Sequence, residues 1–155
     1  MEQLVTEYGQ AIIFLHVLSA IVWVGGMIAM RIAVHPVMGH IEDPKQRVAR
    51  SLEAMNNLFR LVLPFIVILL LTALILELGL GLRNHLTTAK EAIWVLMALN
   101  YAFMVMRRNR AQQYFLSGHP EVAANMLAII PTRLLPLNIG LGILALYLGI
   151  ILRGF

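Results

Sequence analysis

The chain has 155 residues, is 60% hydrophobic and only 13% charged, and carries a formal charge of +4 with a pI near 10. Soluble domains run about 45–50% apolar and about 25% charged, so this composition and a mean hydropathy of +0.81 exclude a soluble enzyme and a disordered tail. With no cysteine, a disulfide scaffold, thiolate metal sites, iron–sulfur ligation and covalently attached haem are excluded as well.

A hydrocarbon core of about 30 Å takes about 20 helical residues. The uncharged run Gly9 to Met30 predicts a first span over about 9–30. Leu61 to Leu80, interrupted only by Glu77, predicts a second over 61–80. The third run, Ala92 to Met106, is short, and reaches a span over 90–107 if Lys90 and Arg107 snorkel to the two interfaces. Leu134 to Leu152 predicts the fourth, over 134–152. These lengths suit helices, not barrel strands. The expected fold is therefore all-α: one domain over 1–155, an integral membrane bundle of four transmembrane helices.

The first residues carry Glu2 and Glu7 but no Lys or Arg, the wrong charge for a signal peptide, so the first span is expected to be retained. Nine of the twelve basic residues fall in two connections. Arg31, Lys45, Arg47, Arg50 and Arg60 lie in the first, and Arg107, Arg108, Arg110 and Arg133 in the third. The opposite side has Arg83, Lys90 and Arg153. The positive-inside rule then puts both termini outside, as in a multi-pass protein of a bacterial-type inner (cytoplasmic) membrane, and reads the basic excess as cytoplasmic loops with no nucleic-acid role. Asp43-Pro44 is an N-cap and N1 pair, followed by Val48, Leu52, Met55 and Phe59 at helical spacing. This predicts a helical cytoplasmic extension running into the second span. Its other face suits solvent, a partner or lipid headgroups. Arg60-Leu-Val-Leu-Pro64 and Arg133-Leu-Leu-Pro136 hint at an internal repeat of two hairpins.

Polar residues inside a membrane are costly and usually face the bundle interior. His16 sits seven residues into the first run, about 10 Å from its outer end. At 100° per residue, His16, Ala20, Trp23, Met27 and Met30 share a stripe, with Ser19 beside it. Lys90, Trp94, Met97, Tyr101 and Met104 form a similar stripe on the third span, with Asn100 on its flank. Each stripe runs from a cation-capable residue through Trp to Met. A neutral imidazole in an apolar bundle is a standard haem-iron ligand. On that reading His16 binds iron, and Trp23, Met27, Trp94 and Met97 line the pocket. Lys90 or His85 is a possible second ligand, five-coordination being the alternative. Lys90, Arg83 and His85 could instead meet propionates. The small face Asn138, Gly142, Ala145, Gly149 permits close helix packing or a flat ring.

Each of these residues also has an ordinary structural reading. His16 would hydrogen-bond Ser19 or Asn100, and the Met and Trp stripes would be helix packing. Thr72, Asn100 and Asn138 read best as interhelical hydrogen-bond partners. Gly25-Gly26 allows close approach or a kink. His35, His40 and His119, near the cytoplasmic ends, form a second possible cluster.

The segment Leu15-His16-Val-Leu-Ser-Ala-Ile-Val-Trp23-Val-Gly25-Gly26-Met27 resembles the opening helix of the copper-resistance protein D family of membrane domains. Asn57-Leu-Phe59-Arg60-Leu-Val-Leu-Pro64, with the aliphatic run to Thr72, resembles that group too. The plan is also similar to the bacterial four-helix membrane protoporphyrinogen oxidases, haem-b proteins in which a first-helix His precedes a Trp by seven residues, as His16 precedes Trp23. There an Arg and a His close the helix, as Arg31 and His35 do, and a Lys opens the third, in the place of Lys90. The stretch from Val24 to Met30 lacks the aromatic residues of that set, and the Arg31-to-His35 spacing differs by one. The resemblance therefore implies haem b more strongly than porphyrin oxidation.

It implies a membrane oxidoreductase or electron-transfer protein acting with a quinone or another membrane redox partner, with Arg31 and His35 as catalytic residues in a cytoplasmic-side polar station for substrate or protons. A homodimer fits four helices that enclose little on their own. The alternatives are copper binding or transport through soft Met ligands such as Met27, Met30, Met104 and Met106 with His, and a structural subunit without cofactor.

Overall fold

Each apolar run is helical, but every helix continues beyond it. The computed structural model describes residues 2–81 and 85–152. The predicted residues Arg83 and Arg153 lie outside that range. Helix α1 (Glu2–Ala29) passes through a π-turn (Met30–Val34) into the short α2 (His35–Met38). Then come α3 (Pro44–Leu80), α4 (His85–Leu116) and α5 (Pro120–Ile129), which passes through a second π-turn (Ile130–Leu134) into α6 (Leu135–Leu152).

Local chemistry sets the boundaries. Asp43 caps α3 as expected, accepting from the Lys45 N–H at 2.9 Å, and Pro44 opens the helix. Gly81, at φ 62°, ends it in the left-handed conformation that glycine adopts without strain. Both π-turns stop two residues before a proline, Pro36 and Pro136. A helical proline lacks the N–H for the carbonyl four residues back, and its ring crowds that carbonyl. Widening the turn by one residue relieves the crowding and lets the helix run on. The His35 N–H reaches back to Met30 and the Leu135 N–H to Ile130. Before Pro131, the Ile130 N–H turns to Leu127, and the Met126 carbonyl accepts from Arg107 Nε at 3.2 Å.

Four segments are long and apolar enough to cross a membrane: Val5–Met38, Pro44–Gly79, His85–Leu116 and Pro120–Leu152. At 1.5 Å per residue they measure about 48–54 Å, well beyond a hydrocarbon core of about 30 Å. They pair as two hairpins, α1 with α3 and α4 with α5 and α6, each turning at the basic end of the bundle. Contacts of α1 with α6 and of α3 with α4 close the ring, leaving α1 diagonal to α4. The second helix of each hairpin opens on a proline, Pro44 or Pro120. The π-turns, however, fall in the first and fourth spans.

Outside, Phe14, Ile21, Leu71, Leu99, Ile143 and Ile150 are exposed, while Trp23, Met27, Val62, Met104 and Leu135 are fully buried. An exterior this apolar belongs in lipid. The extension of α3 is packed within the bundle: Val48, Leu52, Met55 and Phe59 are buried, Arg108 Nε donates to the Leu52 carbonyl at 3.3 Å, and Tyr101 donates to the Phe59 carbonyl at 2.7 Å.

Candidate functional site

A close helix approach at Gly142 gives a reference level for the depth of the other residues. A Cβ on Gly142 would stand 2.5 Å from Val24 Cγ2 and 3.3 Å from Met97 Cε, so α1, α4 and α6 meet at one level. The small face of α6 therefore serves close helix packing there. Gly26 is a second close approach, 3.1 Å from Leu58 Cδ1 by the same measure. From the Gly142 level, His16 lies eight residues back from Val24 and Lys90 seven back from Met97. That sets both about 10–12 Å towards the end that bears the termini. Lys90 accordingly packs on Gly149, its Nζ 3.2 Å from where a Cβ would be. His16 and Lys90 share a depth on diagonal helices, one facing α3 and the other α6.

His16 bonds neither Ser19 nor Asn100, as expected from sequence, but Thr72. Its Nδ1 is 3.0 Å from the Thr72 hydroxyl oxygen. That hydroxyl has one proton and stands 2.7 Å from the Ile68 carbonyl and 3.1 Å from that of Leu69, to which it donates. Its oxygen is then the acceptor for the ring, which places a proton on Nδ1. Ser19 turns back to the Leu15 carbonyl at 2.7 Å.

Trp23 and Trp94 lie between the His16 level and the constriction. Their indole N–H groups are buried and, among the described residues, meet no acceptor. A buried donor left unpaired costs about 1–3 kcal/mol, and here two occur on diagonal helices. Met27 and Met97, expected to line the same pocket, are packed into the core with Tyr101 and Met104.

The two interior amides bond each other and the backbone. Asn100 Nδ2 donates to Asn138 Oδ1 at 2.7 Å and to the Leu134 carbonyl at 2.9 Å, and Asn138 Nδ2 donates to the Met97 carbonyl at 3.2 Å. Together they fasten α4 to α6, the interhelical role expected of them. Asn138→Leu is expected to cost about 1 kcal/mol, seen as a lower melting temperature in detergent.

Other predicted residues stand apart. His85 is exposed at the start of α4, and Arg31 is half-buried in the first π-turn. His40 and His119 are exposed, and among the described residues no group of three His, Asp or Glu is placed to hold a metal, so the His35, His40, His119 cluster is not assembled. His35 instead lines a cavity of about 10 Å³ with Met30, Met38, Met55 and Pro131. Met38 escaped the sequence reading because the π-turn before it was not foreseen, and Met55 was read only as part of the buried stripe of α3. The prolines at 36 and 136 were the available signal of the π-turns. Met106, weighed as a soft ligand, is exposed.

Compared with protein-family profiles, with curated proteins and with solved structures, the chain has no match. The four long helices and the apolar exterior define a multi-pass helical membrane protein, with interior polar groups on both sides of the Gly142 level.

Proposed function

We propose that this chain is a haem-b-binding integral membrane protein, serving electron transfer or porphyrin- or quinol-type oxidoreduction, with His16 as iron ligand. The observation that carries the reading is the His16–Thr72 hydrogen bond. A metal-binding imidazole almost always donates its second ring N–H to a neighbouring acceptor, which fixes the tautomer and the ring orientation. Thr72 does that for His16. The orphaned donors of Trp23 and Trp94 fit a group bearing acceptor atoms, and Lys90, at the depth of His16, suits a propionate or a second iron site. Bound iron would supply a one-electron change. The residues of this chain would hold it, orient it and keep water out, in the half of the bundle between His16 and the Gly142 constriction.

With the basic end cytoplasmic and both termini outside, as the positive-inside rule requires in a bacterial-type inner membrane, the haem half lies towards the outer face. Arg31 and His35 form a polar station at the cytoplasmic end, available to substrate or protons. A quinone or another membrane redox partner, and a homodimer, complete this reading. A protoporphyrinogen oxidase type of reaction is its enzymatic form.

Protein purified in detergent without added cofactor is expected to show a Soret band, and its dithionite-reduced-minus-oxidised spectrum a b-type centre. No Soret absorbance, with copper found by elemental analysis, would replace this reading by a copper-binding one. Neither group would leave a structural subunit.

A further inference from the structure

We propose that Arg60 and Arg108, on the seam between α3 and α4, form a binding site for the phosphate of an anionic phospholipid in the leaflet at the basic end of the bundle. The site is independent of the haem reading. On that side every apolar run stops at an arginine. Arg31 follows Met30, Arg60 precedes Leu61, Arg107 and Arg108 follow Met106, and Arg133 precedes Leu134. The helical segments run on past these residues, so the arginines form a belt around the bundle. Counted from the Gly142 level at 1.5 Å per residue, Arg31, Arg107 and Arg133 lie about 10–15 Å towards the basic end. Gly142 stands in the middle of the fourth run, and half of a hydrocarbon core of about 30 Å reaches the same depth. The belt therefore lies where hydrocarbon gives way to headgroups.

Arg60 and Arg108 approach that depth from opposite sides. Gly26 meets α3 at Leu58 and Val62, which puts the Arg60 backbone only about 3–6 Å from the Gly142 level. A helical side chain leans towards the N-terminus of its helix, which on α3 is the basic end. On the antiparallel α4 the same rule turns Arg108 back towards Arg60. The bonds of Tyr101 to the Phe59 carbonyl and of Arg108 Nε to the Leu52 carbonyl hold this seam together, and the charge of Arg60 bears on Arg108. Arg108 is also fixed by Asn109 Oδ1, 3.1 Å from its Nη1. Arg60 is exposed and, among the described residues, meets neither an acid nor a hydrogen-bond acceptor. The acid next along that face of α3, Glu53, pairs with Arg50 at 2.9 Å.

Two guanidinium groups that face each other without a counter-ion suit an anion between them, and their forked N–H groups match phosphate oxygens. The surface beside them selects the lipid as its source. Leu63 and Val67, three and seven residues after Arg60, continue its face towards the membrane interior and are exposed, as an acyl chain requires. A free phosphate would use the arginines alone.

The test is native mass spectrometry of the full chain in detergent, titrated with phosphatidylglycerol or with phosphatidylcholine. The first phosphatidylglycerol is expected to bind at least about fivefold more tightly than the first phosphatidylcholine, the factor that one basic residue near an anionic headgroup contributes. Arg60→Gln combined with Arg108→Gln should erase that preference while helical circular dichroism stays unchanged. Lys45→Gln combined with Arg110→Gln removes the same charge from exposed positions past the belt, and should leave the preference intact. Arg60→Gln alone should weaken it several-fold. Its side chain bonds nothing in the fold, so this variant decides the matter even where the double variant fails to fold. An unchanged preference in Arg60→Gln, an equal loss in the Lys45 and Arg110 variant, or no preference in the wild-type chain overturns the site. Displacement of the lipid by millimolar inorganic phosphate would assign the pair to a free phosphate, and overturns the lipid as its occupant.

Discussion

His16→Ala is expected to abolish the b-type spectrum of the purified protein while its helical circular dichroism stays unchanged. The side chain is half-buried on α1, and its removal leaves the packed levels below, at Trp23, Val24 and Met27, untouched. What it takes away is the imidazole that Thr72 orients through Nδ1. Thr72→Val keeps the shape of the partner and removes the acceptor. It should leave haem bound, but with affinity lower by about 10–100-fold, the usual effect of losing an orienting partner. Lys90→Gln separates its two roles. If Lys90 is the second iron ligand, the spin state changes; if it meets a propionate, only affinity falls. Persistence of the full spectrum in His16→Ala would end the ligand assignment.

Gly142→Ala should be the most destabilising small substitution in the membrane half of the bundle, by about 1–3 kcal/mol. The added Cβ lands 2.5 Å from Val24 Cγ2, and Val24 is buried and β-branched, with one strongly preferred rotamer in a helix. The strain therefore falls on the approach of α6 to α1. Gly140→Ala is the matched control. Nothing lies within 4 Å of its Cβ position, so the same change two residues away should stabilise by about 0.5–1 kcal/mol through helix propensity. Opposite shifts of melting temperature in detergent are the expected pair. Val24→Ala combined with Gly142→Ala should recover part of the loss, because it removes the atom the new methyl meets. Equal shifts for Gly142→Ala and Gly140→Ala would mean that the constriction carries no strain.

How far the site could be read in advance depended on the distance over which each interaction acts. Asp43-Pro44 announces the start of α3 because capping is settled within three residues. The buried stripe Val48, Leu52, Met55, Phe59 follows from a regular helical repeat. That Asn100 and Asn138 pair with something was legible from the cost of bare amides in hydrocarbon, though which carbonyls they reach was not. The partner of His16 was missed because Thr72 is 56 residues away, and only the packing of α1 on α3 makes them neighbours. The π-turns were missed because a 100° wheel assumes an unbroken helix, and past Met30 that assumption misplaces His35 and Met38.

Sequence alone determined that the chain is a membrane protein of four apolar helices, and which few residues are costly inside it, since hydropathy and charge act residue by residue. Only the tertiary structure decided what those residues do to one another. Helix register brings His16 to Thr72 and Lys90 to Gly149, close packing sets α6 against α1 at Gly142, and a widened turn resets the face that α2 presents. Each depends on how one helix meets another, and composition carries no record of that.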